Sequence, residues 1–135
     1  MKLLLQIPLL VISLIIFNVM IFSDPNAFRP DAGPMFQLNL PSGGIWFATR
    51  SDILIIVGVL LLYIELFKAT RTSVGAIVEH ILSLFVFVIF LVEFIVVPGA
   101  ASSTCVILML LCLLDVVGGF TISISTARRD IGFGN

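Results

Sequence analysis

Charge is what this sequence has least of. Lys, Arg, Asp and Glu together make up 11% of its 135 residues, against about 25% in an ordinary soluble domain. Seven basic residues stand against eight acidic ones, so there is no basic stripe to meet nucleic acid. Cysteine is scarce too. Cys105 and Cys112 are the only two. On one helix they stand roughly 10 Å apart along the axis, too far for a mutual disulfide. They read as small apolar packing residues. The motifs of chemistry are missing as well: no glycine-rich phosphate loop, no HExxH, no CxxC and no GxSxG. His80 is the only histidine, and one imidazole without further ligands makes no metal site. No serine has a paired base in reach along the sequence. Neither enzymatic activity nor a cofactor or bound metal is expected.

What the chain has in quantity is apolar residues, 60% of the total. They fall into four runs, and the chain reads as a single integral membrane domain, 1–135. The run around which the rest is arranged is SVGAIVEHILSLFVFVIFLVEFIVV, over 73–97. As a helix it rises roughly 37 Å, enough to cross a hydrocarbon core of about 30 Å with some tilt. It nevertheless contains Glu79, His80 and Glu93. Glu79 and Glu93 are two heptads apart and share one face with Ala76, Ser83, Val86 and Phe90. That polar seam belongs against other helices, and the Leu, Ile, Val and Phe of the other faces belong against lipid.

The first run, 3–22 after Lys2, has the beginning of a signal peptide. It is too long for one, and no A-x-A-like site follows, so it is expected to stay as a transmembrane helix. Pro8 lies in its first turns, where a lost hydrogen bond is tolerable. Gln6, Ser13 and Asn18 are its interhelical hydrogen-bonders. Residues 23–50 form the one sizeable extramembrane loop. It begins proline-rich, SDPNAFRPDAGP, and then alternates: MFQLNL, the turn PSGG, and IWFAT. This predicts a short β-hairpin that must pack on the bundle or on a partner, being marginal alone. Trp46 and Phe47 are its expected interface anchors at headgroup level.

The second helix is expected over 51–68, capped by Ser51 or Asp52, with a seam of Ile55, Gly58, Leu62, Glu65 and Ala69. The link 69–72 is short, so helices two and three should form an antiparallel hairpin. That fold brings Glu65 level with Glu79 and near His80. Pro98-Gly99 stops the third helix. The fourth is expected over 102–125, with a seam of Cys105, Leu108, Cys112, Asp115, Gly119, Ile122 and Thr126. Gly118 and Gly119 allow close approach of another backbone. The predicted fold is therefore all-α: four transmembrane helices in an antiparallel bundle, with a short extra-cytoplasmic hairpin between the first two.

With four spans, Lys2, Lys68, Arg71, Arg128 and Arg129 fall on one side and only Arg29 and Arg50 on the other. The bias puts both termini in the cytoplasm, in a bacterium across the inner membrane. Glu65, Glu79, His80, Glu93 and Asp115 are the candidate intramembrane proton or hydrogen-bond sites. A buried carboxylate has two outlets: neutralisation with proton exchange, or pairing with Lys68, Arg71 or His80 at the interface. Asp115 is expected near mid-membrane, protonated and hydrogen-bonded. Two functions follow. One is a non-enzymatic accessory or assembly subunit of a larger membrane complex, with lipid and other transmembrane subunits, or itself, as partners. The other is a homo-oligomeric proton-coupled transporter or channel.

Overall fold

The computed structural model describes residues 6–71 and 74–133. Lys2, the start of the first apolar run at 3–5, and positions 72 and 73 of the second link lie outside the described residues. The order of elements is α1 (Leu10–Ser23), β1 (Phe36–Asn39), β2 (Ile45–Ala48), α2 (Arg50–Lys68), α3 (Val74–Val96), a 3-10 turn (Pro98–Ala100) and α4 (Ser103–Phe133). The protein is mostly helical, with a two-stranded antiparallel hairpin between the first two helices.

Three boundaries differ from expectation, each for a local reason. α1 begins at Leu10 rather than at residue 3. Pro8 supplies no N–H and biases the residue before it away from helical geometry, so among the described residues of the run the α-helix starts beyond it. α2 is capped by Thr49, not by Ser51 or Asp52. The Thr49 hydroxyl accepts from the Asp52 amide at 3.2 Å, and Asp52 Oδ2 accepts from the Thr49 amide at 2.8 Å. This reciprocal pair is a capping box built on T-x-x-D. α4 continues to Phe133 instead of ending near 125. Its last turns carry Ala127, Arg128 and Arg129, which favour helix, and no proline to stop it. At 31 residues it is about 46 Å long.

The helices over Gly75–Val96 and Ser103–Arg129 are long and apolar enough to cross a membrane. α1, at 14 residues, rises only about 21 Å. α2 has the length but carries Arg50 and Asp52 at one end and Glu65 and Lys68 at the other.

Successive helices reverse direction, but α2 and α3 are not side-by-side partners. α4 lies between them, and the packed pairs are α3 with α4, α2 with α4, α1 with α2 and α1 with α3. Side-chain contacts give the directions. Ser51 meets Thr104 at 2.6 Å at one end of the α2–α4 pair, and Ser123 donates to the Ala69 carbonyl at 3.4 Å at the other. Those two helices therefore run parallel. The expected hairpin packing of helices two and three is corrected accordingly.

Glycines make the α2–α4 contact close. A Cβ on Gly58 would stand 2.9 Å from Leu111 Cδ1, and one on Gly118 would stand 2.9 Å from Leu66 Cδ2. The buried face of α3 is Ala76, Glu79, His80, Ser83, Val86 and Phe90, the spacing of a packed stripe. In α2 the buried residues are Leu54, Gly58, Leu62 and Glu65, with Leu54 replacing the expected Ile55. The core continues through Phe17, which stacks on Phe28 at 5.1 Å and meets the edge of Phe90 at 5.7 Å. Each such aromatic pair contributes about 0.5–1.5 kcal/mol beyond its buried area. Outside this core the helices turn large apolar side chains outward on every side, among them Ile15, Leu60, Tyr63, Phe85, Val92 and Leu114.

The hairpin pairs Phe36 with Ala48, Gln37 with Phe47, Leu38 with Trp46 and Asn39 with Ile45. Its turn closes with the Gly43 amide donating to the Leu40 carbonyl at 3.0 Å. Pro41 sits second in that turn, and Gly43 adopts φ +85°, a region that favours glycine. Of the two expected settings, bundle or partner, the hairpin does not take the first: of its eight strand residues only Ala48 is buried.

Candidate functional site

The convergence of polar groups is set by where α1 begins. With Pro8 ahead of it, α1 opens at Leu10 with no side-chain cap. Its first free amide, that of Leu9, donates to Glu65 Oε1 of α2 at 2.5 Å. An acid thus sits at the positive end of the α1 dipole, supplied by a different helix. Glu65 is 3% exposed. One turn on, Lys68 Nζ lies 3.2 Å from the same Oε1, and the same ammonium is in ionic contact with Glu79 Oε1 of α3. Lys68 thus joins α2 to α3, which both pack on α4 rather than closely on each other.

Asp115 of α4 completes the cluster. It is 1% exposed and lies beside Ser83, within electrostatic reach of Glu65, Lys68 and Glu79. Its Oδ2 has no hydrogen-bond partner among the described residues, and no donor other than Lys68 reaches Glu79 Oε1. Ser83 Oγ donates to the Glu79 carbonyl at 3.1 Å.

His80 is buried but turned away from the acids, toward α4. Its Nε2 bonds Ser123 Oγ at 2.9 Å, and its ring lies 5.0 Å from that of Phe120. Gly119 leaves room for it: a Cβ there would stand 2.5 Å from His80 Cε1. Glu93 lies more than two turns along α3 from Ser83, beside Asn18 of α1. Its Oε2 is buried with no hydrogen-bond partner among the described residues, while Asn18 Nδ2 donates to the Leu14 carbonyl at 3.0 Å. Of the five candidate acids and bases, Glu65 and Glu79 meet at Lys68, with Asp115 and His80 within electrostatic reach of them. Glu93 stands apart. Trp46 and Phe47 are both exposed on the hairpin, adjacent in one strand and so on opposite faces. Cys105 and Cys112 are both buried and free, and Cys105 Sγ points to the Phe90 carbonyl at 3.7 Å.

Sequence reading did not identify the Leu9 amide, Ser123 or Thr104 as partners. Pro8 was the available signal for the first. The other two are ordinary helical hydroxyls whose partners depend on packing.

At the opposite end, Asp24 and Arg50 pair at 2.9 Å and tie α1 to α2. The Asn26 amide and the Arg50 guanidinium hold the Asp24 carboxyl below its ordinary value. The pair is exposed, so its weight is small. A cleft of about 850 Å³ opens beside it, lined by loop residues and by the starts of α2 and α4.

Among the described residues, no group of three or more His, Cys, Asp or Glu side chains could hold a metal ion. The chain matches no protein-family model, and no curated protein or solved structure resembles it to a significant degree.

Proposed function

We propose that this is a four-span integral membrane protein that serves as a non-enzymatic accessory or assembly subunit of a larger membrane complex. Its setting is a bacterial inner membrane, with both termini in the cytoplasm. Lys68, Arg71, Arg128 and Arg129 then stand at the cytoplasmic end, and Arg29 and Arg50 at the other. The outward apolar surface of all four helices supports lipid and other transmembrane subunits as neighbours, since no aqueous surface could be so apolar over so much of its area.

The observation that carries the subunit reading is the hairpin. Residues 35–48 contain no charged side chain. Phe36, Leu38, Ile45, Trp46 and Phe47 are all exposed, and both outer edges of the two-stranded sheet are unpaired. Free edges are normally blunted by charge or proline. An uncharged, open-edged, aromatic hairpin is suited to being covered by an extra-cytoplasmic partner segment.

Native gel mobility of mildly solubilised membranes tests this. The chain is expected in a band much larger than its 14.7 kDa, containing other subunits, and Trp46→Lys is expected to release it. Migration only as a small homo-oligomer, unaffected by Trp46→Lys, contradicts the reading. It would favour a homo-oligomeric proton-coupled transporter or channel, for which the unpartnered Asp115 oxygen is the supporting observation.

A further inference from the structure

The Glu65, Lys68, Glu79 and Asp115 cluster does not balance in charge. Three carboxylates at −1 and one ammonium at +1 leave a formal −2 if all are ionised, in a region where unpaired charge is costly. The partners are unevenly shared. Glu65 has the Leu9 amide and Lys68, and Glu79 has Lys68. Asp115 has neither, and its Oδ2 meets no donor among the described residues.

A buried carboxylate oxygen that meets no donor is far less costly as part of a neutral acid than as a charge.

α2 offers Glu65 and Lys68. α3 offers Glu79, with His80 turned to Ser123. α4 adds the Cys112 thiol one turn away. α1 contributes the Leu9 amide to Glu65 and has no titratable side chain over Leu10–Ser23.

We infer that Asp115 is a proton-binding site reached from one end of the bundle only, taking its proton from water at the Lys68 end. Access on that side is open: the Lys68 side chain is 26% exposed and that of Glu79 10%. A proton from hydronium neutralises the Asp115 carboxylate, and the cluster goes from −2 to −1. Release reverses the same step. The other direction is closed. From Ser83 to Glu93 is roughly 15 Å of helical rise, and the seam between them is Val86, Phe90, Leu108 and Cys112, all buried. The inference holds whichever partner the hairpin meets.

Infrared difference spectra across a pH titration, on the full chain in lipid nanodiscs, test it. The wild type is expected to show a protonated-carboxyl band that fades as pH rises. Asp115→Asn, which keeps a donor and an acceptor, is expected to lose it while remaining folded. Persistence of the full band in Asp115→Asn, or an ionised Asp115 throughout the titration, overturns the site. Asp115-dependent proton flux across sealed vesicles overturns the one-ended access.

Discussion

Lys68→Ala is expected to destabilise the folded bundle by about 3 kcal/mol. Removing one partner of a buried ion pair costs about 3–5 kcal/mol, because the other charge stays buried and uncompensated. Two carboxylates depend on this ammonium, Glu65 and Glu79. The Lys68 side chain is 26% exposed, so water relieves part of the loss and the lower end of that range applies. The damage is also expected to spread beyond α2, since Lys68 is what connects α2 to α3. Neutralising all three groups together, as Lys68→Met with Glu65→Gln and Glu79→Gln, should recover most of the loss. The cost lies in stranded charge rather than in missing contacts. Thermal unfolding in mild detergent reads both effects. An unchanged midpoint for Lys68→Ala would mean that the cluster is solvated and not buried.

Gly119→Leu is expected to destabilise by about 1–3 kcal/mol, the range for overfilling a packed contact. A Cβ alone would stand 2.5 Å from His80 Cε1 and 2.6 Å from Nδ1. The ring has no easy retreat, with Ser123 bonded to its Nε2 and Phe120 beside it. Leu113→Ala serves as the control. Leu113 is 37% exposed on the outer face of α4, and substitutions on such faces usually stay within about 0.5 kcal/mol. If the clash is with the ring, His80→Ala should relieve much of the Gly119→Leu defect. Equal detergent stability of Gly119→Leu and Leu113→Ala would contradict the packed face assigned to α4.

The helix faces were legible because they depend only on periodicity. Ala76, Glu79, Ser83, Val86 and Phe90 recur at threes and fours, and these positions are buried. The same holds for Cys105, Leu108, Cys112 and Asp115 in α4. Which helix packs beside which was not legible. A short link shows that consecutive helices reverse direction, but it does not choose between adjacent and diagonal neighbours. That choice follows from where backbones can approach. Gly58 receives Leu108 and Leu111, and Gly118 receives Leu66, which brings α4 between α2 and α3. Helix ends were read least well. A continuous apolar run hides the effect of Pro8, and the polar ARRD stretch, beyond the expected helix end at 125, lies within α4. The acids themselves stood out by their cost in apolar sequence. Their grouping around Lys68, with the α1 amino terminus as a further partner of Glu65, needed the α1 boundary and the packing order.

The claim on which the rest stands is that all four helices cross the membrane, although among the described residues only α3 and α4 are long and apolar enough to do so by themselves. Reporter fusions at Pro34 and at the carboxy terminus test it directly. With four spans the two positions lie on opposite faces, Pro34 outside and the carboxy terminus in the cytoplasm. If only α3 and α4 crossed, everything before α3 would share a face with the end of the chain. Both reporters would then signal from the same side, and that result would contradict the account.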